Sequence, residues 1–289
     1  SLEWCPPGHG DIYAALKTSG VLNELQAKGF RYAFVSNADN LAAGLDVNIL
    51  GWMCAEHVPF VLEVAKRTEN DKKGGHLAQT ATGKLIVRET IQCPADEIEK
   101  FQDIERYQYF NTNNLWIDLR ALEDTLGQYD NNLPLPLMVN KKYVVANDAD
   151  SPQVFQTETA MGAGVSLFDN AKALLVSRER FVPVKTTNDL LKLWSDLYTI
   201  DDDFAVLRSG TSANDVIVDL DPDFYRNFDS FYKRFPFGAP LLSQACELKV
   251  SGDILFGSNV VIKGCVNLSN ESGEQMSITS GSSFNKNTV

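Results

Sequence analysis

From Arg31 to Asn40 the chain reads Arg-Tyr-Ala-Phe-Val-Ser-Asn-Ala-Asp-Asn, and this stretch limits the fold more than any other. Four consecutive apolar residues, Tyr32 to Val35, follow Gly29 closely and stop at a small polar cluster. A run so short and so evenly apolar reads as a buried strand of a parallel sheet. Ligands of open α/β sheets sit beyond the carboxyl ends of the strands, so Asn37, Asp39 and Asn40 stand where a site is expected. In an extended segment Asn37 and Asp39 point one way and Asn40 the other. A carboxylate beside amides suits a hydroxyl-rich ligand or a hard cation that holds phosphates. A polar turn that caps the next helix is the plainer alternative.

Helix and strand signals alternate from the outset, as βαβ construction requires. Asp11 is placed to cap a helix over Ile12 to Thr18, and Gly20 to end it. A second helix from Val21 to Lys28 stops at Gly29, and a third runs from about Asp46 to Glu56 with a broad apolar face. Pro59 to Val64 is a second buried strand. Strand signals recur at Lys84 to Thr90, Pro136 to Val145 and Gln153 to Thr159, the last running into a glycine-containing helix. Helices are expected from Pro94 to Phe101, over Ala121 to Leu126, and, after an extended segment from Arg180 to Thr187, on to about Leu197. After Pro236 the character changes: β-branched residues with glycines at intervals, Leu248 to Leu268, match short strands turning the corners of a parallel β-helix. The expected organisation is therefore a domain over residues 1–235 and a smaller one over 236–289.

Composition removes several functions. The 289 residues are 44% hydrophobic and carry a formal net charge of −12, so the overall field repels nucleic acid and anionic membranes. Basic residues cluster no further than pairs such as Lys72-Lys73 and Lys141-Lys142. Five widely spaced cysteines without a C-x-x-C pair argue against a disulfide framework or a zinc site, and the three histidines lack metal-ligand spacing. No apolar run approaches the roughly 20 residues that span a bilayer, and no secretory signal opens the chain. These absences fit a reducing, cytoplasmic setting. The first residue is not methionine, and the chain starts inside a motif-like stretch, which suggests a preceding segment.

Several stretches concentrate groups able to bind a ligand. Gly8 and Gly10 bracket His9 ahead of a helix, where backbone can approach an anionic group; a simple surface turn is the alternative. Gly74-Gly75 before His76 suits either a hairpin corner or close approach to a sugar hydroxyl. Asn111, Asn113 and Asn114 lie beside an apolar run, and buried amides must find partners. If extended, Asn111 and Asn113 share one face and offer donors and acceptors to a polyol. Lys185 sits at a strand end just before a helix, an arrangement suited to phosphate and also common for plain surface lysines.

Taken together, six blocks resemble the eukaryotic-type UDP-glucose pyrophosphorylases. They are Glu-Trp-Cys-Pro-Pro-Gly-His-Gly-Asp-Ile-Tyr (3–13), Ser-Asn-Ala-Asp-Asn (36–40), Lys-Gly-Gly (73–75), Phe-Asn-Thr-Asn-Asn-Leu-Trp (110–116), Glu-Thr-Ala-Met-Gly-Ala (158–163) and Arg-Phe-Val-Pro-Val-Lys-Thr-Thr (180–187). They occur in the family's order over nearly the whole chain. The resemblance implies an α/β fold with a mixed, mostly parallel Rossmann-like nucleotidyltransferase sheet, followed by a C-terminal left-handed parallel β-helix.

It also implies a magnesium-dependent reaction in which a phosphate oxygen of glucose 1-phosphate attacks the α-phosphorus of UTP in line, releasing pyrophosphate. By resemblance Gly8 touches uracil and His9 the phosphate region, while Asn37 holds sugar or ribose and Asp39 binds Mg2+. Gly75, Glu89, Asn111 and Asn113 form the hexose-binding set, and Lys185 is the essential phosphate-binding lysine. All of these are expected around one cleft. The family's N-terminal glycine-rich loop with its following lysine, and its uracil-reading glutamine, have no counterpart in these residues, so the chain alone is expected to turn over little. An acetylhexosamine-specific or broad UDP-sugar pyrophosphorylase is an alternative. Another is a non-catalytic sugar-nucleotide-binding module that self-associates through the β-helix.

Overall fold

The computed structural model describes residues 5–68, 71–72, 74–145, 150–209 and 216–285. Glu3, Trp4 and Lys73 of the sequence blocks and the last four residues lie outside them, as do residues 147–149, part of the stretch Asn147 to Pro152 expected as a polar connection. The chain divides into two compact units, one made of 1–37 with 45–178 and the other of 38–44 with 179–289. That division falls upstream of residue 235, where the change of composition suggests a boundary. The cause is a shared core: Leu191, Val216, Val218, Tyr225 and Phe231 are buried together with Leu248, Val250 and Ile262 of the later strands.

In the first unit the elements are α1 (Ile12–Thr18), α2 (Val21–Ala27), β1 (Tyr32–Val35), α3 (Val47–Ala55), β2 (Phe60–Lys66), β3 (His76–Gln79), β4 (Leu85–Arg88), α4 (Ile98–Gln102), β5 (Tyr109–Asp118), α5 (Leu119–Gln128), β6 (Leu137–Tyr143), β7 (Gln153–Thr159) and β8 (Lys172–Leu175). Their limits follow local chemistry. Gly29, at φ +86°, takes the left-handed turn that ends α2. Asp46 caps α3, its carboxylate accepting from the Asn48 and Ile49 amides at 2.8 and 3.4 Å. Asp11 makes no such cap: a 3-10 turn, His9–Asp11, runs straight into α1.

The period-2 alternation of β2 and β5 sends side chains into two apolar layers. Phe60, Leu62, Leu115 and Ile117 join Tyr13, Leu22, Leu122 and Leu126 from α1, α2 and α5. Val61 and Trp116 join Ile49 and Met53 of α3. Each such fully buried side chain contributes about 1.5–3 kcal/mol, which makes β2 and β5 the spine of the unit.

The pairing differs from the sequence expectation. The sheet runs β4-β3-β5-β2-β8, with β1 also on β5. Only β2 with β8 is parallel; β1, β2 and β3 all pair antiparallel with β5, and β3 with β4. The mostly parallel Rossmann-like sheet is thus corrected to a mixed, largely antiparallel one. Tyr32 to Val35 is half-buried on both faces, and an apolar run of four residues carries no information on the direction of its neighbour.

The second unit holds α6 (Thr187–Trp194), β9 (Tyr198–Ile200), β10 (Val206–Arg208), β11 (Ile217–Leu220), α7 (Pro222–Tyr225), α8 (Phe228–Arg234), β12 (Leu241–Ser251), β13 (Ile254–Phe256), β14 (Val261–Ser269), β15 (Met276–Ile278) and β16 (Ser283–Asn285). A capping box between Thr186 and Asp189 starts α6. Strands β11-β12-β14-β16 form one parallel sheet, and β13 with β15 a second. No left-handed β-helix is evident among the described residues: the strands sort into one sheet of four and one of two, without the three equal faces such a coil needs. The self-association assigned to a β-helix loses its structural element with it. Cys246 and Cys265 form a disulfide between β12 and β14, against the expectation of none, leaving Cys5, Cys54 and Cys93 free. Cys265 pairs with Glu247 and Cys246 lies in the register shift just before it, a juxtaposition that spacing along the chain could not show.

Candidate functional site

The feature that organises the first unit's polar residues is a break along one edge of β5. Strand β1 pairs with β5 only at residues 115–118, ending at Val35↔Leu115, while β3 meets it only at His76↔Phe110. The end of β1 and the start of β3 therefore flank β5 residues 111–114. Asn37 comes two residues after the end of β1, and Gly75 precedes β3, its carbonyl accepting from the Asn111 amide at 3.0 Å.

On its other edge β5 bulges. Glu63 pairs with Asn114 but Val64 pairs with Asn111, so Thr112 and Asn113 have no opposite number on β2. Asn113 accordingly adopts φ +58°, one of the left-handed conformations that asparagine tolerates best. The bulge turns the two amides onto each other: Asn111 Nδ2 donates to Asn113 Oδ1 at 2.9 Å, and the Asn113 amide donates to Asn111 Oδ1 at 3.0 Å. They are neighbours as expected, but because the strand bulges rather than because it is extended.

Glycines bring backbone against these groups. A β-carbon on Gly75 would lie 2.5–2.7 Å from the Glu89 carboxylate, and one on Gly162 would lie 2.8 Å from Asn111 Nδ2. Gly8, at φ +87°, leaves no room either: its β-carbon would sit 2.5 Å from the Thr159 carbonyl oxygen. The Pro7 carbonyl accepts from the Thr159 amide at 2.9 Å, which straps the opening segment to the end of β7. His9 Nδ1 accepts from the Met161 amide at 2.9 Å, so in the neutral ring the proton sits on Nε2. Tyr13, fully buried, holds the same turn by donating to the Met161 carbonyl at 2.6 Å, and burial pushes its phenol up so that it stays neutral. Gly8, His9, Gly162, Asn111, Asn113, Gly75 and Glu89 are thus linked into one connected group.

Asp39 and Lys185 belong to the second unit. The segment 39–41 pairs antiparallel with 182–184: the Val184 amide donates to the Asp39 carbonyl at 2.9 Å, and the Leu41 amide to the Val182 carbonyl at 3.2 Å. Asn40, 5% exposed, locks the pair by accepting from the Val182 amide and donating to the Arg180 carbonyl. Its structural role is that of a clamp. Asp39 is half-buried and its carboxylate makes no hydrogen bond or ion pair among the described residues. Lys185 is exposed ahead of α6, its own amide bonded to Asp189 at 3.1 Å. The break between units falls between Asn37 and Ala38, separating two residues that the sequence pattern puts on one side of a single segment.

The arrangement of the first unit can hold a polyhydroxylated ring through amides and a carboxylate, with a histidine N–H nearby. A model of the UTP--glucose-1-phosphate uridylyltransferase family matches residues 1–263. The chain belongs to that family. It is 38% identical over 289 residues to UTP--glucose-1-phosphate uridylyltransferase 2 of Dictyostelium discoideum, covering 99% of this chain and 56% of the relative. The Solanum tuberosum enzyme is 40% identical over 280 residues, covering 96% and 57%. Among solved structures, a variant of UDP-glucose pyrophosphorylase from Leishmania major in complex with UDP-glucose shares 43% identity at a TM-score of 0.88, covering 99% of this chain and 62% of that one. The Trypanosoma brucei UDP-glucose phosphorylase structure gives 44% identity and a TM-score of 0.88, over 98% and 61%. The chain thus spans somewhat over half the length of these family members.

Sequence reasoning missed Gly162, Glu63 and His76. Gly162 lies in a block quoted for the resemblance, yet only the contact with Asn111 shows why it must lack a side chain. Glu63 is a lone charge within an apolar run, a signal that was legible. His76, directly after Gly75, is wholly buried between Phe101 and Tyr107, with ring centroids 4.3 Å from each, and neither ring nitrogen has a hydrogen-bond partner among the described residues. Burial, reinforced by the Arg67 and Arg88 charges, pushes its pKa down to about 3.

Proposed function

We propose that this chain carries the sugar-nucleotide-binding part of a UTP--glucose-1-phosphate uridylyltransferase, joining UTP and glucose 1-phosphate into UDP-glucose with release of pyrophosphate. The observation that supports this most is the Asn111–Asn113 pair on the β5 bulge beside Gly75 and Glu89, within the fold of a relative whose structure contains UDP-glucose. In this reading Asn111, Asn113, Glu89 and the Gly75 backbone bind the hexose hydroxyls. Gly8 lets backbone reach the uracil, and His9 directs its Nε2 proton toward phosphate. Asn37 binds sugar or ribose. Lys185 neutralises phosphate charge as the attacking oxygen approaches phosphorus; in such reactions positioning and charge compensation supply most of the rate.

Asp39 fits Mg2+, since an unpaired carboxylate is a hard donor and this ion takes one or two carboxylates plus substrate phosphates. When bound, Mg2+ would offset the charge that develops on the phosphates. A cytoplasmic location is part of the same proposal.

The test is titration calorimetry of the full chain with UDP-glucose. Binding is expected, weakened by Asn111→Ala and preferred over UDP-N-acetylglucosamine. Absence of any heat at millimolar UDP-glucose would overturn the reading.

A further inference from the structure

A buried carboxylate in the middle of an apolar strand needs a reason. Strand β2 is buried from Phe60 to Ala65, and Glu63 is the only charged residue in that run, with 0% exposure. Taking a carboxylate out of water costs several kcal/mol, and an apolar residue of similar volume would be the more stabilising choice at such a place. What leucine could not do there is accept hydrogen bonds. Glu63 Oε2 accepts from Asn114 Nδ2 at 3.0 Å, and Oε1 accepts from Trp116 Nε1 at 2.8 Å.

These bonds lie directly beside the bulge. Asn114 is the first residue of β5 to resume pairing after Asn113, and its partner in register is Glu63 itself. The Glu63 carbonyl accepts from Thr112 Oγ1 at 2.7 Å, inside the bulge, and that hydroxyl in turn accepts from the Asn114 amide at 3.3 Å. Backbone and side chain of one β2 residue therefore hold β5 at positions 112, 114 and 116. The unpaired residues between them are the ones that turn Asn113 to positive φ and against Asn111. A regular ladder is the competing state, since a strand that loses its bulge regains pairing for Thr112 and Asn113.

We propose that Glu63 is the positioning residue of the hexose-binding asparagines, fixing the β5 bulge from beneath without touching ligand. This rests on the functional reading above.

The experiment compares UDP with UDP-glucose on the full chain by titration calorimetry, for the natural protein, Glu63→Gln, and the exchange Glu63→Gln with Asn114→Asp. Glutamine sets its NH2 against the donor of Asn114 or Trp116; the exchange restores a donor–acceptor pair at the same two places. Glu63→Gln is expected to weaken UDP-glucose binding about tenfold while UDP binding changes by less than about twofold, because only the hexose reads the bulge. The exchange is expected to recover most of the lost affinity. Unchanged UDP-glucose affinity in Glu63→Gln would overturn the proposal. So would a loss of UDP and UDP-glucose binding in the same proportion, the mark of a general packing role. Failure of the natural chain to bind UDP-glucose sinks the functional reading first, and is seen before any variant is made.

Discussion

The orphaned imidazole of His76 makes the first unit's stability depend on pH in a way that can be calculated. Folded, the ring stays neutral down to about pH 3; unfolded, it takes up a proton near the usual 6.5. Between those values the unfolded chain binds more protons than the folded one, so stability rises with pH and is lost as pH falls. From pH 7 to pH 5 this one group should remove about 2 kcal/mol, a slope of roughly 1.4 kcal/mol per pH unit once below 6.5. Other groups titrate in the same range, so the comparison is with His76→Leu. That variant loses two unsatisfied nitrogens and keeps a side chain between Phe101 and Tyr107, and should be close to the natural chain in stability at pH 7. Hydrogen exchange of the β5 amides at residues 115–117, read by mass spectrometry at both pH values, reports opening of the first unit alone. The natural chain should lose about 2 kcal/mol more than His76→Leu between pH 7 and pH 5. Equal losses in the two proteins would mean that the ring is protonated in place or already solvated, and the argument from burial would fail.

Gly8→Ala should destabilise the first unit by about 2–4 kcal/mol, combining a left-handed backbone with a β-carbon 2.5 Å from the Thr159 oxygen, and would be seen as a lowered melting midpoint. In the second unit Arg234 donates to both oxygens of Asp253 at 3.0 and 2.9 Å and lies over the rings of Phe224 and Tyr225. Arg234→Met should therefore cost that unit about 1–3 kcal/mol in urea unfolding, and unchanged stability would refute the pair's contribution. Thiol titration of the denatured, unreduced protein should find three free cysteines, rising to five after reduction. Reduction should also lower the second unit's stability by about 3 kcal/mol, the entropy of opening a loop of this length in the unfolded chain.

Much of the site was legible as a set of residue types, and less of it as geometry. The end of α2 at Gly29 came through because a glycine's left-handed turn acts locally, whereas α1 starts at Ile12 without the cap expected from Asp11. Strand direction did not, because the apolar run at Tyr32 to Val35 looks the same beside either kind of neighbour. Asn111 and Asn113 were expected side by side for a reason that fails, since alternation presumes an extended strand and the bulge at Thr112 is set by β2, some fifty residues away. The pairing of 39–41 with 182–184 lay beyond any local signal, and only the family resemblance linked Asp39 with Lys185. Cys246 and Cys265 show the same limit: their partnership is a property of stacked parallel strands.

The placement of residues 38–44 has a consequence for how the polypeptide is made. This short piece is synthesised inside the first unit's sequence, yet its hydrogen-bond partners at 180–184 follow some 140 residues later. During translation the first unit must form around a gap in its own thread, holding an unfinished strand in waiting. Any attempt to produce residues 179–289 by themselves would leave the clamp at Val182 without Asn40, so no single cut in the gene yields the second unit whole.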